Sequence, residues 1–538
     1  MNPPMGSRML KSPNTTNRAK VNTRHTCNLL FGTVACLCLA ACTAGPDYHS
    51  PVMKIPDSFV KTSPDGQKSI AGNKPVIDAA KWWQALDDQE LNSLIDRAVQ
   101  NNPDIEIALD RMQQARTAEL VVMGEALPEA GFSAGGGRGT GSDISRGRAA
   151  LPLRAGDNTK GLKQINYVFG FDAGWELDLF GKYRRQMEAA AYDTEAAAAV
   201  RNTVLISVIA DVARAYIDMR ALQMQLAVLQ KNTNVALDYF HLTQERFNRG
   251  ITNELDLTLA KRQLAALEAE KMPLVSQLHA AQYVIGVLLG EFPEDLAKEL
   301  EKPEMIPQLP ETIDAGIPLD LLRRRPDIQE SERELAGSTA RIGVAIADLF
   351  PHVVLTGAAG YQGQGLGVTP NVQSSIWSIG PAVSWRLLDF GTLDAHVDIA
   401  GLHARELLVN YKRTVLNALR EVDTSIDAYT GQQDRLHNLS EALAASQQAV
   451  SLANERYDRG LTDSLNVIDA ERQEYALEEQ YVSSQQAAAE QFIALYKALG
   501  GGWEQYQSLP PIHKPQPAVI AAFTHLLRSD DSQKDTSK

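Results

Sequence analysis

The sequence predicts an internally duplicated α+β membrane protein, in which each half supplies a pair of β-strands and a very long helical hairpin. Three observations lead there. The phrase ERFNRGITNELDLTLAKRQ at Glu245–Gln263 recurs as ERYDRGLTDSLNVIDAERQ at Glu455–Gln473, 210 positions later. From Lys182 to Arg249 there are 68 residues without Gly or Pro. Ahead of each such helical run lie segments that alternate apolar and polar residues with period two.

The first element is an address. The chain has 538 residues and a formal net charge of −14, a balance that argues against a nucleic-acid partner. Its four cysteines lie at positions 27, 36, 38 and 42, so everything after Cys42 is cysteine-free. A basic front (Arg8, Lys11, Arg18, Lys20, Arg24) precedes the apolar run Leu29–Ala41, too short to span a bilayer as a helix. That is a secretory signal pattern, residues 1–41. It ends in Leu39-Ala40-Ala41-Cys42, which resembles a bacterial lipobox, with Cys42 as the acylated first residue. The N-acyl diacylglycerol placed there would be the only attached group, and it exceeds the two signals needed for stable anchoring. Thr43 follows rather than Asp, which in bacterial lipoproteins permits sorting to the outer membrane. The sequence offers no later apolar run long enough for a transmembrane helix, so a membrane crossing must be made by strands.

A single duplication organises the mature chain. Asn102-Pro103-Asp104-Ile105 recurs as Arg325-Pro326-Asp327-Ile328 and Leu127-Pro128 as Phe350-Pro351, both at an offset of 223. Trp175–Gly181 recurs as Trp385–Gly391 at 210, so about thirteen extra residues lie between Pro128 and Trp175. They fall in the stretch that holds Gly135–Gly161, which reads as a long loop. The resulting division is 42–80, an anchored extension; 81–295, the first repeat, with strands near 127–180 and a helical hairpin over 182–290; and 296–505, the second, with strands near 351–389 and a hairpin over 392–500. Residues 506–538, with Pro510, Pro511, Pro515 and Pro517 and then SDDSQKDTSK, have the composition of a disordered tail.

The strands come next. Every odd position from Ile165 to Leu177 is apolar while the even positions are mostly small or charged. Trp377, Ile379, Pro381, Val383, Trp385 and Leu387 repeat the pattern, Val353–Tyr361 gives a third strand, and a fourth around Ala130–Ala134 is weak. Alternation alone fits a membrane barrel with a wet interior and an ordinary half-buried sheet equally well. Trp175 and Trp385 fit either a core or an aromatic membrane girdle.

The helices separate these readings. A continuous helix of 68 residues is about 100 Å long, beyond any compact domain. Val208, Val212, Ala215, Met219, Leu222, Leu226 and Leu229 mark a narrow coiled-coil seam, and Val415, Leu419, Val422, Ile426 and Tyr429 repeat it. Gly250 and Gly460 supply the left-handed residue that ends each long helix. Thr252 or Asn253, and Thr462 or Asp463, then cap the helix that returns. Pro273 interrupts the first returning helix, with a kink expected there.

With the lipobox and Gly45-Pro46-Asp47-Tyr48, Trp82-Trp83, the Pro-Asp-Ile repeats, Arg325-Pro326-Asp327 and the paired Arg-aromatic-x-x-Gly turns, the chain resembles the outer membrane factor family of TolC-like channel-tunnels over roughly residues 42–505. Within it the likeness is to the lipidated OprM/NodT-type branch. The resemblance implies a homotrimer whose twelve strands close one outer-membrane β-barrel, continued by a coiled-coil α-helical periplasmic tunnel. Elementary physics agrees, because four strands cannot close a barrel and the smallest known have eight. By resemblance the tunnel meets a periplasmic adaptor protein and an inner-membrane pump of the RND type, and exports drugs or other small toxic molecules. Arg246, Phe247, Gly250, Arg456, Tyr457 and Gly460 would meet the adaptor. Leu465, Asp469 and Arg472, with Asp256 after the first turn, match the residues that narrow the periplasmic end. Thr462 and Asn466 depart from the TolC pattern, where an arginine and an aspartate stand, so a salt-bridge latch is not expected.

No enzyme chemistry converges. The ten histidines are scattered, and the glycine run satisfies neither dinucleotide nor P-loop spacing. Competing readings are protein secretion or metal-ion efflux through the same kind of channel, and a lipid-anchored periplasmic spacer without a pore.

Overall fold

The computed structural model describes residues 43–55, 77–140, 163–310, 324–364, 375–462 and 464–506. Cys42, the signal segment, residue 463 and the tail beyond Tyr506 lie outside them. The chain forms two compact units, and each repeat contributes to both. One unit draws on Glu125–Arg185 and Gly343–Asp394 with the residues up to Gly45; the other holds the remainder.

The first unit is a four-stranded antiparallel meander in the order β1 (Glu129–Thr140), β2 (Lys163–Glu176), β3 (His352–Gln364) and β4 (Ser375–Ser384). Its register sorts side chains by chemistry. Phe132, Phe171, Ala359 and Trp377 stand side by side across the four strands, and Gly131, Asp172, Ala358 and Ser378 form the adjacent row on the opposite face. One face is therefore an apolar band, with Phe132, Phe171, Trp377 and Ile379 all exposed, and the other is small and polar. That inversion of the usual inside-out rule fits a lipid-facing surface better than a water-facing one. Two expectations are corrected here. β1 is a complete strand through Thr140, so Gly135–Thr140 belongs to the sheet and not to a loop; glycines carry no alternation, and pairing along all of β2 supplies the order. β2 and β4 end at Glu176 and Ser384, before Leu177 and Trp385.

The second unit is helical: a 3-10 turn (Ala79–Leu86), α1 (Gln89–Asn101), α2 (Pro103–Glu125), α3 (Lys182–Asn248), α4 (Glu254–Leu289), α5 (Pro293–Glu299), α6 (Pro326–Ala347), α7 (Thr392–Asp458) and α8 (Ser464–Ala498). The Pro-Asp-Ile motifs start helices. Asn102 Oδ1 accepts from the Asp104 and Ile105 amides at 2.9 and 3.2 Å, and Pro103 occupies the first helical turn, where its missing N–H is not needed. In the second copy Arg325 instead reaches the Ala498 carbonyl at 2.8 Å and Asp327, tying the start of α6 to the end of α8.

The main core gathers where these segments meet. Trp82 stacks on Tyr496 at 5.8 Å and 14°, Trp83 stacks on Tyr506, and both tryptophans are fully buried among Leu91, Ile95 and the middle of α3. This changes the reading of the α3 seam. Around Leu205–Gln223 the helix is buried on nearly every side, not along a narrow stripe, because the N-terminal helices and α8 cover it too. The matching segment of α7 keeps the narrow seam, with Val415, Val422 and Tyr429 buried between half-buried or exposed neighbours.

One more expectation fails. α3 and α4 do contain apolar windows of membrane-spanning length, with mean hydropathy 1.5 and 1.3. The first is 61% buried inside the protein, so its apolarity is spent largely on core packing. Pro273 lies inside α4, which continues as one helix from Glu254 to Leu289.

Candidate functional site: the paired helix turns and the gate residues

Both long helices end in the same backbone device. Gly250 (φ 67°) bonds back to the Phe247 carbonyl at 2.9 Å and Ile251 to that of Arg246 at 2.9 Å. Gly460 (φ 69°) and Leu461 repeat the pair on Tyr457 and Arg456 at the same distances. These are two Schellman turns, and each satisfies carbonyls that a helix end otherwise leaves open. Asn253 then caps α4, accepting from the Asp256 amide at 2.9 Å, while the Thr252 hydroxyl donates to the Asp256 carboxylate. Asp256 is thus engaged in the cap of its own helix. In the second copy Asn466 donates to Thr462 at 2.7 Å.

The side chains of the two turns are not equivalent. Arg246 lies over the Tyr457 ring at 4.8 Å and donates to its hydroxyl, so the first turn is clamped to the second. Burial pushes the Tyr457 hydroxyl's pKa upward, partly opposed by Arg246. Arg456, its counterpart, is exposed and forms no ion pair among the described residues. The sequence marked all of these residues but not that two of them would bind each other. The signal was present, as an arginine-aromatic pair written twice.

On α8, Leu465, Asp469 and Arg472 share one exposed face; Leu465 is 59% exposed. Neither Asp469 nor Arg472 forms an ion pair among the described residues. The adjacent face turns inward, where Ile468, Glu471 and Tyr475 line a crevice with Ala236, Ala260 and Leu267. Burial, with help from Glu474, pushes the Glu471 carboxyl's pKa upward. Tyr475 donates to Glu270 at 2.8 Å, and Lys231 meets Glu478 at 2.5 Å, joining α8 to α4 and to α3. The outward face is left open to a ligand or to another chain.

In the other unit the two tryptophans are also equivalent. Trp175 Nε1 donates to the Ala126 carbonyl at 3.1 Å and Trp385 Nε1 to the Leu349 carbonyl at 3.0 Å, with both rings exposed. A ring with an apolar body and a satisfied polar edge suits a membrane interface.

Comparison with known proteins follows the same plan. The profile of the family "Outer membrane efflux protein" matches residues 94–291 and 317–501, one match per repeat. Nodulation protein T of Rhizobium leguminosarum bv. viciae is 28% identical over 501 residues, covering 92% of this chain and 96% of that protein. Cation efflux system protein CusC of Escherichia coli O6:H1 is 26% identical over 479 residues, covering 89% and 99%. The solved structure of the outer-membrane channel OprN superposes with a TM-score of 0.76 at 32% identity, covering 86% of this chain and all of that one. With two matched repeats, an open sheet bearing an apolar face and duplicated helical hairpins, the chain belongs to the outer membrane efflux protein family, whose members are transport channels and not enzymes.

Proposed function

We propose that this protein is the outer-membrane duct of a tripartite efflux system, a homotrimer that passively carries drugs or other small toxic molecules delivered by an inner-membrane pump through a periplasmic adaptor. The observation that carries the reading is the open four-stranded sheet with its exposed apolar face. Its outer strands cannot remain unpaired in lipid, and three copies would supply twelve strands. Detergent-purified protein should have the mass of three chains and conduct ions weakly in planar bilayers. A stable monomer, or protein soluble without detergent, would overturn the proposal in favour of a spacer.

Within this reading Leu465, Asp469 and Arg472 form the periplasmic constriction, since a three-fold axis would gather their exposed faces into rings. Arg456 and the outer surfaces of the two turns receive the adaptor. Trp175 and Trp385 form the membrane girdle. Cys42 carries the lipid, and the residues that follow it support this. Ala44 bonds to the Phe180 carbonyl at 2.9 Å, and Arg185 reaches the Ala44 carbonyl at 3.0 Å, so the mature start is held at the β2–α3 junction. Radiolabelled palmitate should mark wild type and not Cys42→Ala. The duct does not select the cargo: relatives named for nodulation and for cation efflux are 28% and 26% identical, so the drug reading rests on the partner pump.

A further inference from the structure

Within one chain the second repeat packs on the first through a small set of paired groups. Glu176 Oε1 lies 2.6 Å from His352 Nδ1, Arg333 Nε lies 3.2 Å from Glu195, and Phe180 stacks on Phe350 at 4.6 Å. Gly170 and Gly360 face each other across β2 and β3, so close that a Cβ on Gly170 would sit 2.8 Å from the Gly360 Cα.

The duplication allows each pair to be carried forward. Residues from β2 onward in the first repeat map 210 positions ahead, and residues from the helix and strand before it in the second repeat map 223 back. The strands obey those offsets: Glu129 opposite Gly174 becomes His352 opposite Ser384, and both pairings are present. Carried forward, every inter-repeat pair becomes a pair between the second repeat of one chain and the first repeat of another. Glu176 and His352 become Arg386 and Glu129; Glu195 and Arg333 become Arg405 and Asp110. In both, the charges are opposite and the signs are exchanged. All four side chains are exposed, and none forms an ion pair among the described residues. The Asp193–Arg341 and Lys182–Asp348 pairs, in contrast, do not carry over, becoming His403 with Ala118 and Thr392 with Glu125. Phe180 and Phe350 become Phe390 and Leu127, which are 99% and 64% exposed. Gly170 and Gly360 become Gly380 and Gly137, again two glycines, and Gly380 has open space beside it in the single chain.

Resting on the trimeric reading above, in which β1 of one copy closes on β4 of the next, we infer that these strands meet with Ser384 opposite Ser133 and that Arg386 and Arg405 pair with Glu129 and Asp110 of the neighbouring copy. The occupant is this chain itself, because only a copy carries β1 and the complementary charges at the spacing the duplication dictates. Matching charges set the register, and the open edges of β1 and β4 disappear as the ring closes.

The test uses the absence of cysteine after Cys42. In full-length protein in outer membranes, Ser133→Cys with Ser384→Cys should give disulfide-linked trimers under mild oxidant, while Ser133→Cys with Ala382→Cys, two positions out of register, should not. Independently, Arg405→Glu should lower the trimer fraction in detergent by about tenfold, and adding Asp110→Arg should restore it to near wild type. Linking by the shifted pair in an intact trimer, or a double reversal no better than Arg405→Glu alone, overturns the inferred interface while leaving the trimer standing. A wild type that is monomeric overturns both.

Discussion

Phe180 stacks on Phe350 inside the chain, while Phe390, its counterpart in the second repeat, is exposed with a left-handed backbone (φ 56°). Arg246 is spent on Tyr457, while Arg456 is exposed. α3 is buried nearly all round at its middle, while the matching part of α7 hides only a stripe. Ala189, Ala199 and Ile206 of α3 are buried; their counterparts on α7, Ile399, Val409 and Leu416, are exposed. From β2 onward the direction is consistent: the first repeat is covered by the rest of its own chain, whereas the second is open. Ahead of β2 it reverses, with Leu120, Val121 and Leu127 of the first repeat exposed and Leu335, Ala336 and Ala340 of the second buried. Each repeat therefore keeps one open side.

The largest effect that tests this contrast lies in the first repeat's core. Arg220 is 1% exposed, bonded to Glu90 at 2.5 Å and to the Lys302 carbonyl at 2.8 Å, and it lies over the Tyr216 ring. Its counterpart in the second repeat is Thr430, an exposed residue that bonds its own helix. Arg220→Met should cost about 3–5 kcal/mol by leaving Glu90 without its cation, read as a large fall in melting temperature. Thr430→Ala should shift it by less than about 1 kcal/mol. Equal effects would show that the halves share the load.

Next is the gate. On the proposed gate, Leu465→Ser with Asp469→Ala would remove an apolar constriction and a ring of carboxylates together, and should raise single-channel conductance several-fold, weaken block by cations and sensitise cells to large antibiotics. Leu255→Ser with Leu259→Ser in the first repeat should do less, as that helix lacks a matching aspartate. A double mutant that assembles and conducts like wild type would move the constriction elsewhere.

The turns distinguish stability from binding. Arg246→Ala should destabilise the tip by about 1 kcal/mol, through loss of the hydrogen bond and the cation–ring contact. Hydrogen exchange at the ends of α3 and α7 would report it. Arg456→Ala should leave that exchange unchanged and weaken capture by the adaptor. Reversal of the two results would exchange their roles.

A further contrast between the repeats lies in pH dependence. Burial, with Glu334 and Asp327 adding repulsion, pushes the Glu330 carboxyl from its ordinary 4.5 to about 7. Below pH 4.5 the side chain is protonated whether folded or unfolded, and no penalty arises. As pH rises toward 7 the unfolded chain ionises first, so stability falls, and above 7 the loss is complete. Glu330→Gln should therefore be the more stable form at pH 8 and match wild type at pH 4. The first repeat holds Ile107 at this place, and Ile107→Gln should not alter the pH profile.

What the sequence determined by itself is whatever depends on local periodicity or on repetition. Helix length follows from a run without Gly or Pro, the turns from a glycine at the helix end, and β2 and β4 from period-two alternation. The family plan follows from the order of these parts. Tertiary structure decided what depends on neighbours distant in the chain. β1 became a strand because β2 offers it a full ladder, although its glycines carry no pattern. α3 lost its narrow seam because Trp82, Leu91 and Phe492 arrive from remote segments to cover it. Arg246 found Tyr457, 211 positions away, because two identical turns end side by side. Long-range pairing is invisible to local propensity, since the free energy that selects it comes from burial and charge neutralisation available only once the chain has folded.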